Sequence, residues 1–173
     1  MEIRNKEGKI IFNGNNLSNA DLNNADLNNA DLCNLNLYGV NLSYSYLRYA
    51  NLSGSNLICA NLIGSDLFGV NLTSANLSYT DLYNTDLYNA NLHNTNLYGA
   101  DLRNIIIEKS IVCINGSKHP LIYIENIKQF QIGCIIQPLT WWKKNYKNIM
   151  KSADYSKEEI KEYKKYIDMV SMK

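Results

Sequence analysis

Leucine stands at every fifth position from Leu17 to Leu102, eighteen times in succession, with Phe12 before and Ile107 after in the same phase. A period of five excludes most ways of folding. On an α-helix it leaves successive leucines about 140° apart, so no apolar stripe forms. On a straight strand side chains alternate with a period of two, and an odd repeat sends every second leucine to the opposite face. Both objections vanish if the chain turns a corner once per repeat. The leucine and the residue two before it then point inward, and the other three positions point outward.

The rest of the unit agrees. The residue before each leucine is Asn or Asp in seventeen of the eighteen cases, Tyr46 being the exception, and the residue two before is mostly Ala, Ser, Thr or Val. The unit reads A-(D/N)-L-x-x. Asn, Asp, Gly and Ser, which tolerate turn geometry, are abundant at the two positions after leucine. Proline is absent from residues 15–104, as required if backbone donors bond between stacked coils. The leucines are core, each worth about 1.5–3 kcal/mol of burial. The Asn and Asp before them are expected to bond side chain to backbone at the turns.

This pattern resembles the pentapeptide-repeat protein family over about half of the chain. The resemblance implies an all-β solenoid, a right-handed quadrilateral β-helix with four repeats to each square coil. On that basis residues 15–104 make roughly four and a half coils, stacked at about 4.8 Å into a rod about 22 Å long. Positions twenty apart then fall in columns, one to a face.

Both ends of a solenoid need covering. Residues 1–14 read as an N-terminal strand and cap, with a short strand within 8–14 that begins the first coil. Residues 15–107 form the β-helix, and residues 108–173 a small C-terminal α+β cap. In that cap Ile111-Val112-Cys113-Ile114, a turn at Asn115-Gly116, Leu121-Ile122-Tyr123-Ile124 and the run from Phe130 to Ile136 read as three strands sealing the last coil. Thr140 is the expected N-cap of a first helix. Ser156 and Glu159 form the capping box of a second, with Ile160, Tyr163, Ile167 and Val170 on its apolar face. The two lysine-rich helices should pack their aromatic faces on the sheet. The tail is similar to those of phage and bacterial pentapeptide-repeat proteins.

Charge is uneven. Residues 15–104 carry seven Asp against Arg48 and Arg103, a net of −5, whereas residues 105–173 carry a net of +5. The start of the chain has charges where a secretory signal needs an apolar run, and no stretch reaches the length of a transmembrane helix. The expected location is the cytoplasm, with no membrane partner. Cys33, Cys59, Cys113 and Cys134 form no CxxC pair, which predicts free, buried or half-buried thiols and no metal site.

His93, at an outward repeat position, and His119, in a loop, lie in different modules, and no phosphate loop or metal motif occurs. The reading is therefore a non-enzymatic protein-interaction or structural module without a cofactor. Acid concentrates on two adjacent faces. One column holds Asp26, Tyr46, Asp66 and Asp86 with Tyr49, Phe68 and Tyr88 beside it. Its neighbour holds Asp21, Asn41, Asn61, Asp81 and Asp101 with Tyr44 and Tyr83. A third column, Asn16, Asn36, Asn56, Asn76 and Asn96, carries no charge, and the fourth has Asp31 alone.

Asp21, Asp26, Tyr46, Asp66, Phe68, Asp81, Asp86, Tyr88 and Asp101 are thus the candidate protein-binding face, against the plainer reading of a charged, solubilising surface stabilised by tyrosine ladders. Some members of the family imitate duplex DNA and occupy the DNA-binding saddle of type II topoisomerases. The resemblance makes such an inhibitor or protector one alternative, although the repeats here are mildly acidic and lack an inserted loop. A second alternative is nucleic-acid binding through Lys143, Lys144, Lys147, Lys151, Lys157, Lys161, Lys164 and Lys165 with Trp141, Trp142 and Tyr146 interleaved, although nucleic acid is the less expected partner. Oligomeric state is left open by the sequence.

Overall fold

The structure, a computed structural model, describes residues 2–4, 10–13, 17–107, 111–115, 119–124, 128–133 and 135–171. The chain divides into two compact units, Met1–Glu108 and Lys109–Lys173.

In the first unit, parallel bridges join residues twenty apart throughout the repeat region, from Asp21↔Asn41 to Asp86↔Ile106. The repeat around Leu62 shows why this sequence folds so. All five of its backbone N–H groups are satisfied, in four different ways. Ala60 N–H donates to Leu57 O (3.0 Å), closing a turn; Asn61 N–H reaches back one coil to Val40 O (2.9 Å). Leu62 and Gly64 donate forward one coil, to Asp81 O (2.8 Å) and Tyr83 O (2.9 Å). The remaining donor, Ile63 N–H, points at no backbone carbonyl and is taken by Asn61 Oδ1 (3.0 Å). A buried or crowded orphan N–H is costly, so the side-chain acceptor two residues upstream is a structural requirement.

The same Asx bond recurs at every Asn or Asp position from Asp21 to Asp101. Asn and Asp accept equally well, which is why the sequence interchanges them. The second residue after every leucine has φ near +60°. With the turn-closing bond, a positive φ at the third turn position alone defines a type II turn.

The interior is filled as expected. The leucines from Leu17 to Leu97 are buried, and Leu102 is half-buried in the last turn. Several small inward residues are polar, and the Leu carbonyls satisfy them. Ser45, Ser55 and Ser65 donate to the Leu three residues back, whereas Thr80, Thr85 and Thr95 donate to a Leu of the preceding coil.

At the N-terminus strand β1 (Glu2–Arg4) pairs antiparallel with β2 (Ile10–Asn13). The expected strand within 8–14 is therefore present but belongs to a hairpin whose first strand the sequence did not reveal. Asn16 lies outside the described residues.

The second unit has four strands where three were expected: β3 (Ile111–Asn115), β4 (Pro120–Ile124), β5 (Gln129–Ile132) and β6 (Ile135–Pro138), an antiparallel meander in chain order. The run 130–136 is split because Gly133, at φ +57°, opens a two-residue connection that pairs Ile132 with Ile135. Gly116 of the expected turn, and Cys134, fall outside the described residues.

Helix α1 (Leu139–Ser152) follows β6 directly, and Pro138 occupies its N-cap without a side-chain bond. Thr140 is inside the helix rather than at its cap, because proline's fixed φ passes the chain from strand to helix two residues early. Helix α2 (Lys157–Ser171) begins with the expected capping box: Ser156 N–H donates to Glu159 Oε2 (2.7 Å) and Glu159 N–H to Ser156 Oγ (3.1 Å). Helix α1 packs on β5, β6 and α2, and Trp142, Tyr146, Met150, Tyr163 and Ile167 share one core with Tyr123, Phe130 and Ile132. Trp142 Nε1 donates to Phe130 O at 3.0 Å.

Candidate functional site

The bridges place seven of the nine candidate residues in two columns, Asp26–Tyr46–Asp66–Asp86 and Asp21–Asn41–Asn61–Asp81–Asp101. Phe68 and Tyr88 stack at 5.7 Å beside the first, and Tyr49 meets Phe68 edge-on at 5.5 Å.

Tyr46 is the repeat that breaks the rule, since a phenol in place of Asn or Asp cannot accept from the N–H two residues on. That donor, Arg48 N–H, is instead taken by Asn28 Oδ1 from the preceding coil, at 2.9 Å. Asn28 is held for the task by its amide, which donates to Asp26 Oδ1 at 2.8 Å. The backbone is thus repaired and the ring of Tyr46 is left pointing outward, 53% exposed, between Tyr44 at 57% and Tyr49 at 59%. These two flanking rings are not loose. Each lies over a glycine of the next coil, Tyr44 over Gly64 and Tyr49 over Gly69, where a Cβ would come within 2.7 Å of the ring.

Stacking also explains the two arginines. An Asn that follows in a column can donate to the residue one coil back, as Asn41 does to Asp21 (2.9 Å) and Asn51 to Asp31 (3.0 Å). Carboxylate on carboxylate has no such donor, and it occurs at Asp66–Asp86 and Asp81–Asp101. Each of these pairs has an arginine. Arg48 Nε bonds Asp66 Oδ2 at 2.6 Å and its guanidinium sits 5.2 Å from the Phe68 centroid. Arg103 bonds Asp101 at 2.5 Å and sits 5.6 Å from the Tyr83 centroid. The bond from Arg103 holds the Asp101 carboxyl below its ordinary range, and Asp66 and Asp101 push their arginines further up.

Sequence reasoning counted these arginines as charge but did not place them. It also passed over Tyr38, Tyr79 and Tyr98 on the uncharged column, where Tyr79 and Tyr98 pack edge-on at 5.4 Å. A tyrosine twenty residues before a glycine was the available signal for the rings that lean on the next coil.

The other candidates resolve differently. Trp142 and Tyr146 are buried in the core of the second unit, so they offer no stacking platform for bases. Cys33 is half-buried and hydrogen-bonded to Asp31, which pushes the thiol up and holds the carboxyl down. Cys59 is exposed, contrary to expectation, because it stands at an outward turn position. His93 is exposed as expected; His119 is half-buried, its backbone N–H donating to Tyr163 Oη at 2.6 Å. Among the described residues no cluster of His, Cys, Asp and Glu could hold a metal ion, and no helix is long and apolar enough to cross a membrane.

The pentapeptide-repeat family profile, in eight copies, matches residues 10–36, 36–73 and 65–104. Among solved structures, the pentapeptide repeat protein alr5209 from Nostoc PCC 7120 is 35% identical, over 52% of this chain and 76% of that one, with a TM-score of 0.49. HetL, a pentapeptide repeat protein involved in heterocyst differentiation regulation in the same cyanobacterium, is 28% identical, over 54% of this chain and 58% of that one, at a TM-score of 0.33. QnrB1, a plasmid-mediated fluoroquinolone resistance protein, is 21% identical, over 60% and 55% respectively, at 0.47. Comparison with curated proteins gave no match. The family match takes in more than half of the chain, and the bridges twenty residues apart are those of a four-sided coil: the chain belongs to the pentapeptide-repeat family.

Proposed function

We propose that this chain is a non-enzymatic protein-interaction module that meets its partner on the two acidic, aromatic columns, with Tyr46 at the centre of the contact. The observation that carries this is the broken rule. At Tyr46 the repeat gives up its own acceptor, borrows Asn28 from the preceding coil, and gains an exposed ring. Departures from local consistency belong where a surface serves something besides folding. Tyr44, Arg48 and Tyr49 flank it along the chain and Phe68 and Tyr88 stack one and two coils on, and aromatics with arginine are the residues that dominate interface energetics. The two columns hold six Asp against two Arg, which steers a basic partner, while the rings supply most of the affinity.

The alternative reading, a DNA-mimicking inhibitor or protector of a type II topoisomerase, is the less supported. Both carboxylate stacks carry a bound arginine, which interrupts the run of negative charge that mimicry needs.

The test is capture of partners from an extract of the source cells. A Tyr46, Phe68, Tyr88→Ser variant is compared with Tyr38, Tyr79, Tyr98→Ser, which removes as many rings from the uncharged column. Loss of a partner by the first variant alone supports the reading. Equal retention by both makes the face a solubility device, and a topoisomerase among the partners lost would favour the alternative.

A further inference from the structure

We infer that the groove between α1 and α2 is a binding site for phosphate groups. The groove has a volume of about 640 Å³, with Lys143, Lys144 and Lys147 on the α1 side and Lys164 and Asp168 on the α2 side. Its floor is apolar, formed by Tyr146 and Ile167, both buried.

The two helices treat charge differently. Helix α2 is mixed, with four lysines against Glu158, Glu159, Glu162 and Asp168, and its Lys164 is bound by Asp168. That is how a merely solvated helix face is built. Helix α1 has Lys143, Lys144, Lys147 and Lys151 and no acid at all. The one carboxylate lining the groove is engaged by the α2 lysine, which leaves three ammonium groups on the opposite wall unneutralised within it.

Like charges gathered on one concave surface raise the local potential, and a multivalent anion is the ligand that relieves it. Lysine serves phosphate as a point charge, without the planar fork that selects carboxylates. The phosphates can come from a small polyphosphate or from a nucleic-acid backbone. In either case recognition is of phosphate and not of bases, because Tyr146 and Trp142 face the core.

The test is calorimetric titration of the full chain with inorganic tripolyphosphate and, separately, with a single-stranded oligothymidine, at about 50 and 200 mM salt. A Lys143→Gln, Lys147→Gln variant is compared with Lys157→Gln, Lys161→Gln. All four lysines are exposed, so folding is retained, which circular dichroism checks. The expected result is binding of at least one probe that falls roughly ten-fold or more in the groove variant and holds in the other, as two lost ion contacts allow. Binding of tripolyphosphate identifies a small ligand as sufficient. Binding of the oligonucleotide alone, with a log–log salt slope near about −2, identifies the polymer. No binding of either probe, or an equal loss in both variants, overturns the site.

Discussion

The two units of this molecule meet the same demands, satisfied backbone donors and a filled core, by opposite means. In the β-helix each donor finds its acceptor at a fixed offset: two residues back on an Asx side chain, three across a turn, about twenty to the next coil. In the C-terminal unit the decisive contacts keep no period. Trp142 reaches Phe130, twelve residues away, and the Tyr163 hydroxyl serves both the N–H and the carbonyl of His119, forty-four away. A periodic fold assigns a role to every position in advance, so an exception is visible as an exception. An aperiodic one hides its special residues among ordinary ones.

The largest expected effect breaks the periodic side. Leu62→Asp puts a carboxylate among fully buried leucines without a partner and should cost the β-helix at least about 4 kcal/mol. Thermal unfolding checks it, and an unchanged midpoint would mean that Leu62 does not face the core.

Next, Tyr163→Phe probes the aperiodic side. It leaves two backbone groups of His119 without their present partner and should cost about 2 kcal/mol. A urea titration followed by tryptophan fluorescence reports on this unit, since Trp141 and Trp142 both lie in it.

The asymmetry is also what made one unit legible and the other less so. The inward leucines and the role of Asn and Asp followed from the spacing and the residue types, and the column order from the four repeats per coil that the family resemblance implied. The fourth strand did not, since Gly133 looked like one more residue of a β-run until its positive φ and the Ile132–Ile135 pairing placed a turn there. Within the site, the acids and rings could be placed in columns. The positions of Arg48 and Arg103 could not, because a long side chain can lean to either neighbouring coil: Arg48 goes forward to Asp66, and Arg103 stays with Asp101 in its own.

A smaller effect sharpens the exception at Tyr46. Asn28→Ala removes the borrowed acceptor of Arg48 N–H and should cost about 1–2 kcal/mol. In a Tyr46→Asn background the consensus acceptor returns, and the same change should cost about 1 kcal/mol less. Identical costs in the two backgrounds would show that Asn28 does not stand in for the missing Asx bond.

The smallest effect concerns pH. Arg103 lowers the folded-state pKa of Asp101, so the contribution of this pair is present above the unfolded value of about 3.9 and is lost as pH falls through the folded one. Arg103 is exposed and Asp101 half-buried, and solvent screening at the arginine keeps the stability change slight. Carbon-detected NMR titration of Asp101 should show its midpoint rise in Arg103→Gln, because the side-chain bond is lost. A midpoint that does not move would place the cause elsewhere.

The central claim is that Tyr46 serves a partner and not the fold, and Tyr46→Asn tests it most directly, because Asn restores the repeat that the other seventeen follow. The measurement pairs the unfolding free energy of this variant with its binding of a captured partner. The account predicts a stability within about 0.5–1 kcal/mol of the parent and affinity reduced roughly ten-fold or more. A variant that loses more stability than that while binding as tightly as the parent would contradict it.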